Sequence, residues 1–327
     1  MNIKSFKNAI LVKSGITAIE RKKHLAPRVL FYHGVSDRKN AFVEGLHISP
    51  DDFKKQLLYL QRFHEIISMD EYYQRWKNGT FTNKEVTLTF DDGYKNNLTV
   101  LAPILSELGI PFTVFISTRH IDTGNRFSTF VGRAILMHPE LTKLSIPEIG
   151  IDCTLSSLKQ RKKVFKAISF QLKHQDIKIV ESITERLINH LSPQEYQDLC
   201  KYYQADALID WEGVAMLQNR YGCTIGSHCL DHFICDTFQD DSEIKRQIAE
   251  SKRVIEEKLG TACHYLAYPN GNTCPTASAT AEQAGYRLAF TTSYKRITSE
   301  TSAFAMPRYG VAFGMNTFIA DMTLKPR

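Results

Sequence analysis

Two adjacent aspartates follow an apolar segment, and their position suggests chemistry. The segment that begins at Val86 ends in the sequence T-F-D-D-G-Y, which places the carboxylates at Asp91 and Asp92. Neighbouring carboxylates repel each other and are costly to hold together unless they share a cation or a proton. A metal on one and a proton-transfer role for the other would account for both. The alternative is that neither takes part in chemistry: one Asp caps the following helix and the other is exposed to solvent.

A second apolar segment ends in two histidines. It runs into residues 226–232, with the sequence G-S-H-C-L-D-H, so that His228 and His232 are four residues apart. If the segment turns helically, both imidazoles lie on one face at a spacing suited to a divalent metal. An H-x-x-x-H pattern alone is weak evidence. Together with Asp92 it supplies two imidazoles and one carboxylate with open coordination positions, a ligand set used by hydrolytic and oxygenase sites.

The hydrophobic pattern predicts strands that end where these residues begin. Apolar runs rich in β-branched and aromatic residues predict strands over Arg28–Tyr32, Glu85–Phe90, Pro111–Ser117, Cys223–Ser227, His264–Tyr268 and Tyr286–Thr291, with a weaker one near Glu65–Ser68. Helical spacing predicts helices over Pro50–Phe63, Met69–Lys77, Lys95–Leu108, Trp211–Tyr221, Asp241–Leu259 and Thr276–Ala284. Strands that alternate with helices predict βαβ units and a mainly parallel sheet.

The stretch from about residue 124 to residue 209 interrupts this alternation. It contains no convincing buried strand, whereas Leu158–Leu172 and Ile179–Leu191 have helical spacing. We therefore predict a helical insertion between two strands, which acts either as a wall over the substrate or as packing with no direct role. The predicted organisation is an N-terminal helical segment over residues 1–26 and one α/β domain over 27–327 that carries this insertion.

Three motifs in this order resemble those of the polysaccharide deacetylases with a NodB homology domain, also called carbohydrate esterase family 4. Asp91-Asp92 resemble the T-F-D-D motif, His228 and His232 the H-[ST]-x-x-H motif, and residues 267–271 (A-Y-P-N-G) a third motif. The resemblance implies a distorted (β/α) barrel with its site at the C-terminal strand ends. It also implies that Asp92 and both histidines bind Zn²⁺, or else Co²⁺, Ni²⁺ or Fe²⁺, and that Asp91 is the general base.

This chain departs from the family pattern first in its general acid. The family's usual acid is a histidine in a C-terminal motif, and no histidine follows His264 in this chain. The sequence Y-H-G-V at 32–35 resembles the N-terminal Y-H-x-V element of the permuted branch that deacetylates poly-N-acetylglucosamine. That resemblance implies that His33 is the acid. His120, which also follows a predicted strand, is the alternative.

The residue that orients the base is the second departure. Ala267 stands where many family members have an arginine. Arg308 is the predicted replacement, because a planar guanidinium can bind a carboxylate through two parallel hydrogen bonds. The alternative is that Arg308 is an ordinary surface residue.

The implied activity is hydrolysis of an N-acetyl or other short N-acyl group on an amino sugar. The resemblance places oxyanion stabilisation near Tyr268 and Pro269. Tyr94, Trp211 and Phe233 are candidates for stacking on sugar rings, although core packing is the commoner use of aromatic residues. The alternatives are an O-acetyl glycan esterase, a deformylase that acts on a lipid-linked amino sugar, and an inactive glycan-binding module.

Composition limits the classes of function. The chain has 327 residues, of which 43% are hydrophobic and 23% charged, so it can bury a core. Its net charge of +6 is too modest to predict nucleic-acid binding. The seven cysteines include no C-x-x-C pair and predict reduced thiols.

The N-terminal sequence bears on location. Residues 1–23 mix charged residues with short apolar stretches, so neither a secretory signal nor a membrane span is predicted. The expected location is cytoplasmic, with peripheral contact at the inner membrane face left open by this amphipathic start. A nucleotide-linked or lipid-linked precursor is then the more consistent carbohydrate substrate.

Overall fold

A curled parallel β-sheet organises the chain in a computed structural model that describes residues 3–21 and 25–323. The strands, in chain order, are β1 (Arg28–Tyr32), β2 (Gly34–Val35), β3 (His47–Ile48), β4 (Glu65–Ile66), β5 (Glu85–Phe90), β6 (Thr113–Ile116), β7 (Lys143–Ile146), β8 (Ile151–Thr154), β9 (Thr224–Ser227), β10 (Tyr265–Ala267), β11 (Leu288–Phe290) and β12 (Tyr309–Gly310).

Helices cover the sheet and build the insertion. They are α1 (Ile3–Lys13), α2 (Ile16–Arg21), α3 (Pro50–Phe63), α4 (Met69–Asn78), α5 (Ala102–Glu107), α6 (Thr118–Thr123), α7 (Ser128–Leu136), α8 (Leu158–His174), α9 (Ile177–Ile188), α10 (Pro193–Tyr202), α11 (Trp211–Tyr221), α12 (Asp241–Leu259), α13 (Pro275–Gln283) and α14 (Met315–Thr323). Short 3₁₀ turns occupy Pro147–Ile149, Gln204–Asp206 and Pro269–Gly271. Among the described residues, no helix is both long enough and apolar enough to cross a membrane.

The main sheet has the order β11-β10-β9-β6-β5-β1-β12, with β4 added beside β5, and its strand pairs are parallel. The segment before β12 also forms a hydrogen bond with β11, the strand at the opposite end of the sheet: the Met306 N–H donates to the Ala289 carbonyl at 2.9 Å. The two ends of the sheet are thereby joined through one short segment. This arrangement confirms the predicted α/β class and the distorted (β/α) barrel.

Burial explains why these segments form the elements they do. All six residues of β5 are buried, as expected of a parallel strand that is covered on both faces. Helix α3 buries Phe53, Leu57 and Leu60 at helical spacing, and the Ser49 side chain caps its first turn by accepting from the Asp52 N–H at 3.3 Å. The predicted bounds of α3, α11 and α12 match the structure, whereas predicted helix Lys95–Leu108 is a π-helical turn followed by α5.

The insertion has its own core, and it is not purely helical as predicted. Strands β7 and β8 form an antiparallel hairpin in which Leu144 and Ile146 are buried while Lys143 and Ser145 are exposed. This two-residue alternation spans only four residues, too few to stand out in the sequence. Helices α7 to α10 pack around buried apolar residues that include Ile168.

The predicted N-terminal segment (1–26) and main domain (27–327) include residues 1–2, 22–24 and 324–327, which lie outside the described part of the chain.

His64, which follows α3, is buried where its charged form is disfavoured. The side chain is 8% exposed. Burial, and to a smaller extent the charge of Arg28, lowers the pKa of His64 to about 4. A contact with the Lys84 backbone raises the pKa, but by less. An unfolded histidine has a pKa of about 6.5, so between these two values the unfolded chain binds more protons than the native one. Lowering the pH from about 6.5 to about 4 therefore destabilises the fold.

We expect this residue to contribute about 3 kcal/mol to the loss of stability between pH 6.5 and pH 4. Urea unfolding at pH 7 and pH 4.5 should show a smaller pH dependence for His64→Gln than for the wild type. His174→Gln changes an exposed histidine and is the matched control. Equal pH dependence in wild type and His64→Gln would rule out this role for His64.

Candidate active site

The turn after β5 buries both aspartates. The backbone N–H of Asp91 donates to the Tyr32 carbonyl of β1 at 3.0 Å, which continues the sheet by one residue. Asp92 and Gly93 then adopt positive φ values of 77° and 74°. A Cβ on Gly93 would also lie 2.9 Å from the Ile116 side chain, so glycine is required there. Asp91 and Asp92 are only 3% and 4% exposed, which excludes a solvated carboxylate at either position.

The two histidines are brought together by a non-helical turn after β9. Their ring centroids lie 5.0 Å apart. Cys229 and His232 have positive φ values of 61° and 53°, so the condition of a helical turn is not met and the two imidazoles meet by another route. Two side chains hold the turn: Gln247 of α12 accepts from the Leu230 N–H at 3.1 Å, and Ser227, two residues before Cys229, accepts from the Cys229 N–H at 3.2 Å. One tertiary and one local side-chain hydrogen bond thus replace the helical ones.

Asp92, His228 and His232 form a three-ligand cluster. Asp92 Oδ1 lies 3.6 Å from His228 Nε2 and 3.5 Å from His232 Nε2. These separations are too long for good hydrogen bonds but match ligands that surround one ion at bond lengths of about 2.0–2.2 Å. Asp92 Oδ1 is buried and has no hydrogen-bond partner among the described residues. An orphaned buried carboxylate oxygen between two imidazole nitrogens fits a divalent cation.

The imidazoles present the correct nitrogens. His228 Nδ1 lies 2.6 Å from the Ala267 carbonyl, to which it can only donate, so Nε2 carries the lone pair that faces Asp92. Burial is the largest cause that lowers the pKa of His228, and likewise that of His232, to about 4. Neutral imidazoles are the metal-binding form. Ala267, which stands at the position of the family's arginine, therefore supports the site through its carbonyl oxygen.

Asp91 is bound by Arg308 through two hydrogen bonds. Arg308 Nη1 lies 2.7 Å from Oδ1 and Nη2 lies 2.8 Å from Oδ2, the bidentate pairing that the sequence suggested. Arg308 is fully buried, and its guanidinium lies 4.9 Å from the ring centroid of Phe31 and 5.4 Å from that of Phe115. Burial raises the pKa of Asp91, but the charge and hydrogen bonds of Arg308, with His228, outweigh it and hold the pKa at about 2. The carboxylate is therefore ionised.

Both histidines considered as the acid reach the cleft. His33 follows β1 and lines the cleft together with the two aspartates, and its edge contact with Phe31 has a centroid distance of 5.9 Å. Its backbone carbonyl accepts from Asn97 Nδ2 at 2.9 Å. His120 lines the same cleft, packed on Phe127 at 4.3 Å, and burial lowers its pKa to about 3. A histidine whose pKa is held this low is a poor proton donor.

The residues predicted for the oxyanion do not face the cleft. Tyr268 is fully buried, with its hydroxyl donating to the Phe304 carbonyl at 3.1 Å. Its backbone N–H donates to the Phe290 carbonyl at 3.0 Å and is consumed by the sheet. Pro269 is buried and has no N–H to offer. Asn270, the next residue of this motif, lines the cleft with a positive φ of 58° and was missed.

The three aromatic residues proposed for sugar stacking are also turned away. Tyr94 is buried against His47, at a centroid distance of 4.8 Å, and its hydroxyl contacts Asp92. Trp211 donates from Nε1 to Asp122 at 2.6 Å, and Phe233 is in the main core. Each is used for packing because the hydrophobic core of the barrel lies next to these strand ends.

The insertion lines one side of the cleft. The cleft has a volume of about 930 Å³, and the part of the chain from residue 126 to α10 lines it with apolar, polar and charged side chains, among them Arg126, Phe127, Phe165, Leu172 and Lys173. None of these belongs to a recognisable motif.

Comparisons with known proteins agree with this fold. The family pattern described as "Polysaccharide deacetylase" matches residues 78–148 and 157–289, which is more than half of the chain. No curated protein sequence matches the chain. The deacetylase PplD of Streptococcus pyogenes, solved in complex with acetate, has a TM-score of 0.60 at 16% identity over 92% of this chain and 98% of its own.

Two further solved structures are similar. IcaB from Ammonifex degensii has a TM-score of 0.59 at 18% identity, and the alignment covers 92% of this chain and 100% of IcaB. A de-N-acetylase from Aggregatibacter actinomycetemcomitans has a TM-score of 0.56 at 16% identity, over 90% of this chain and 98% of its own. At these identities the likeness establishes the fold.

Proposed function

The chain belongs to the polysaccharide deacetylase family, and from that premise we propose that it is a metal-dependent hydrolase that removes an N-acetyl or short N-acyl group from an amino sugar. The observation that carries this proposal is the cluster of Asp92, His228 and His232 with the Asp91–Arg308 pair beside it in one cleft. The amino sugar would belong to a glycan or to a lipid-linked or nucleotide-linked precursor. A metal-ligand set beside an ionised carboxylate is what amide hydrolysis requires.

Asp92, His228 and His232 would hold the ion. When bound, a divalent ion, with Zn²⁺ favoured by these donors and Co²⁺, Ni²⁺ or Fe²⁺ also compatible, supplies Lewis-acid activation of water and of the acyl carbonyl. The Ala267 carbonyl fixes the His228 ring for this purpose. Tyr94 supports Asp92 from the buried side. The protein's contribution is to hold three ligand atoms in place before the ion arrives.

Asp91 would accept the proton of the attacking water. Arg308 holds both of its oxygens, so the carboxylate cannot rotate away and remains ionised. His33 would then donate a proton to the departing amine nitrogen. Expulsion of an unprotonated amine is otherwise prohibitively slow, so a proton donor within reach of the departing nitrogen is essential.

Acetate release tests the proposed function. Metal-loaded protein should release acetate from an N-acetylated oligosaccharide, a nucleotide-linked N-acetylamino sugar or a lipid-linked one. A chelator should stop the release and added Zn²⁺ should restore it. Release of formate instead would identify a deformylase. Metal-loaded protein that binds these substrates and releases no acid from any of them would contradict the proposal and favour a binding module.

The acid is tested by comparing two alanine variants. His33→Ala should lower kcat by about 100-fold or more, as expected for loss of a general acid. His120→Ala is the matched control, since it also removes a cleft-lining imidazole, and it should retain most of the turnover. Metal content should be unchanged in both variants. The reverse order of effects would assign the acid to His120.

A further inference from the structure

The hairpin formed by α1 and α2 has one face attached to the barrel. Both helices pack against α14, and Asn8 and Thr17 are buried there. Arg21 at the end of α2 donates from Nε to the Tyr59 hydroxyl at 3.1 Å and lies 3.5 Å from the ring centroid of Phe63. These contacts fix which side of the hairpin points away from the protein.

The outward side of the hairpin is apolar. Four large side chains, Phe6, Ile10, Ile16 and Ile19, are 56%, 52%, 42% and 65% exposed. The first two are four residues apart on α1 and the last two are three apart on α2, so each pair shares a helix face. Isolated exposed apolar residues are ordinary, but a local group of this kind marks an interaction surface.

The same segment carries most of the net charge of the chain. Residues 1–23 contain six basic residues and one acidic residue, which accounts for five of the six net positive charges. Helix α1 contains no acidic residue, and its Lys7 and Lys13 are exposed. The hairpin is thus an apolar surface within a strongly basic segment.

We propose that this face of the α1–α2 hairpin docks on an anionic membrane surface. Its apolar side chains would enter the boundary between lipid head groups and acyl chains, while the lysines contact the lipid phosphates. A second copy of the chain is the less suitable occupant, because two faces with this excess of positive charge repel each other. The inference is independent of the reaction catalysed.

Vesicle flotation of the full chain tests this docking. The protein should float with vesicles of phosphatidylcholine and phosphatidylglycerol, and at least tenfold less with phosphatidylcholine alone or in 0.5 M salt. Phe6→Ser/Ile19→Ser should weaken binding to the anionic vesicles by about tenfold or more, through loss of buried apolar area. Lys7→Glu/Lys13→Glu should weaken it by a similar factor through loss of charge attraction.

Helix α8 offers matched controls. Phe170 is 57% exposed, and Lys163 and Lys166 are exposed on the same helix. Phe170→Ser and Lys163→Glu/Lys166→Glu should bind vesicles as the wild type does, and thermal unfolding should confirm that all variants fold. Absence of flotation at low salt would overturn the proposal, as would equal losses in the α8 variants. A concentration-dependent dimer that Phe6→Ser/Ile19→Ser disperses, without vesicle binding, would identify a second copy as the occupant instead.

Discussion

Replacement of Asp92 by alanine should abolish metal binding and lower turnover by about 1,000-fold or more, which corresponds to a loss of roughly 4 kcal/mol of transition-state stabilisation. The reason is that Asp92 Oδ1 lies within 3.6 Å of both His228 Nε2 and His232 Nε2 and links them into one site. The remaining two imidazoles form an incomplete ligand set. Metal content by mass spectrometry and acetate release from a confirmed substrate measure the two effects.

Stability separates this effect from a failure to fold. Asp92 Oδ1 has no hydrogen-bond partner among the described residues, so its removal strands no partner of that atom. The Tyr94 contact is lost and alanine is strained at the φ of 77°, so the metal-free variant should fold with a moderately lower Tm than the wild type. Added Zn²⁺ should raise the Tm of the wild type but not that of Asp92→Ala. Asp122→Ala, which removes an exposed carboxylate on α6, should keep both the metal and the Tm response. Retention of metal and turnover by Asp92→Ala would show that the cluster is not the metal site.

Asp91→Asn should lower kcat by about 100-fold or more while the metal is retained. The amide has nearly the shape of the carboxylate but cannot accept the proton of the attacking water. Metal content should be unchanged because the ligands Asp92, His228 and His232 remain. Turnover and metal content, measured on the same sample, distinguish loss of the base from loss of the ion.

The Asp91→Asn variant will also be less stable, which requires a control. Arg308 is fully buried and would lose its counter-charge, and breaking such a pair costs about 3–5 kcal/mol. Glu85→Gln is the matched variant, since Glu85 is a buried carboxylate at the other end of β5, 2.9 Å from Arg75. It should lower stability but leave kcat near that of the wild type. Full kcat in folded Asp91→Asn would remove Asp91 as the base.

Much of the barrel and the ligand types could be predicted from the sequence because they depend on short-range patterns. A run of buried residues that ends in Asp91-Asp92 specifies a strand and the turn after it, largely independently of the rest of the chain. The same holds for the strand before His228 and for the amphipathic periodicity of α3. In a parallel sheet the C-terminal ends of strands share one edge, so local predictions were sufficient to place these motifs together.

The direction of each side chain depended on contacts that no local pattern encodes. The segment from Met306 to Gly310 joins both ends of the sheet. Arg308 is thereby brought into contact with Asp91, although the two residues are 217 positions apart in the sequence. The histidine turn takes its non-helical shape from tertiary hydrogen bonds such as that of Gln247. A side chain faces either the cleft or the core according to which neighbours pack beside it.

The sequence by itself therefore determined the fold class, the order of the strands along the chain and the chemical types of the candidate metal ligands. Only the tertiary structure decided that Tyr94 and Tyr268 face the core, that Asn270 lines the cleft and that the insertion lines one side of it. The physical reason is the range of the interactions. Periodicity and turn chemistry act over a few residues, whereas burial is a property of the whole packed chain.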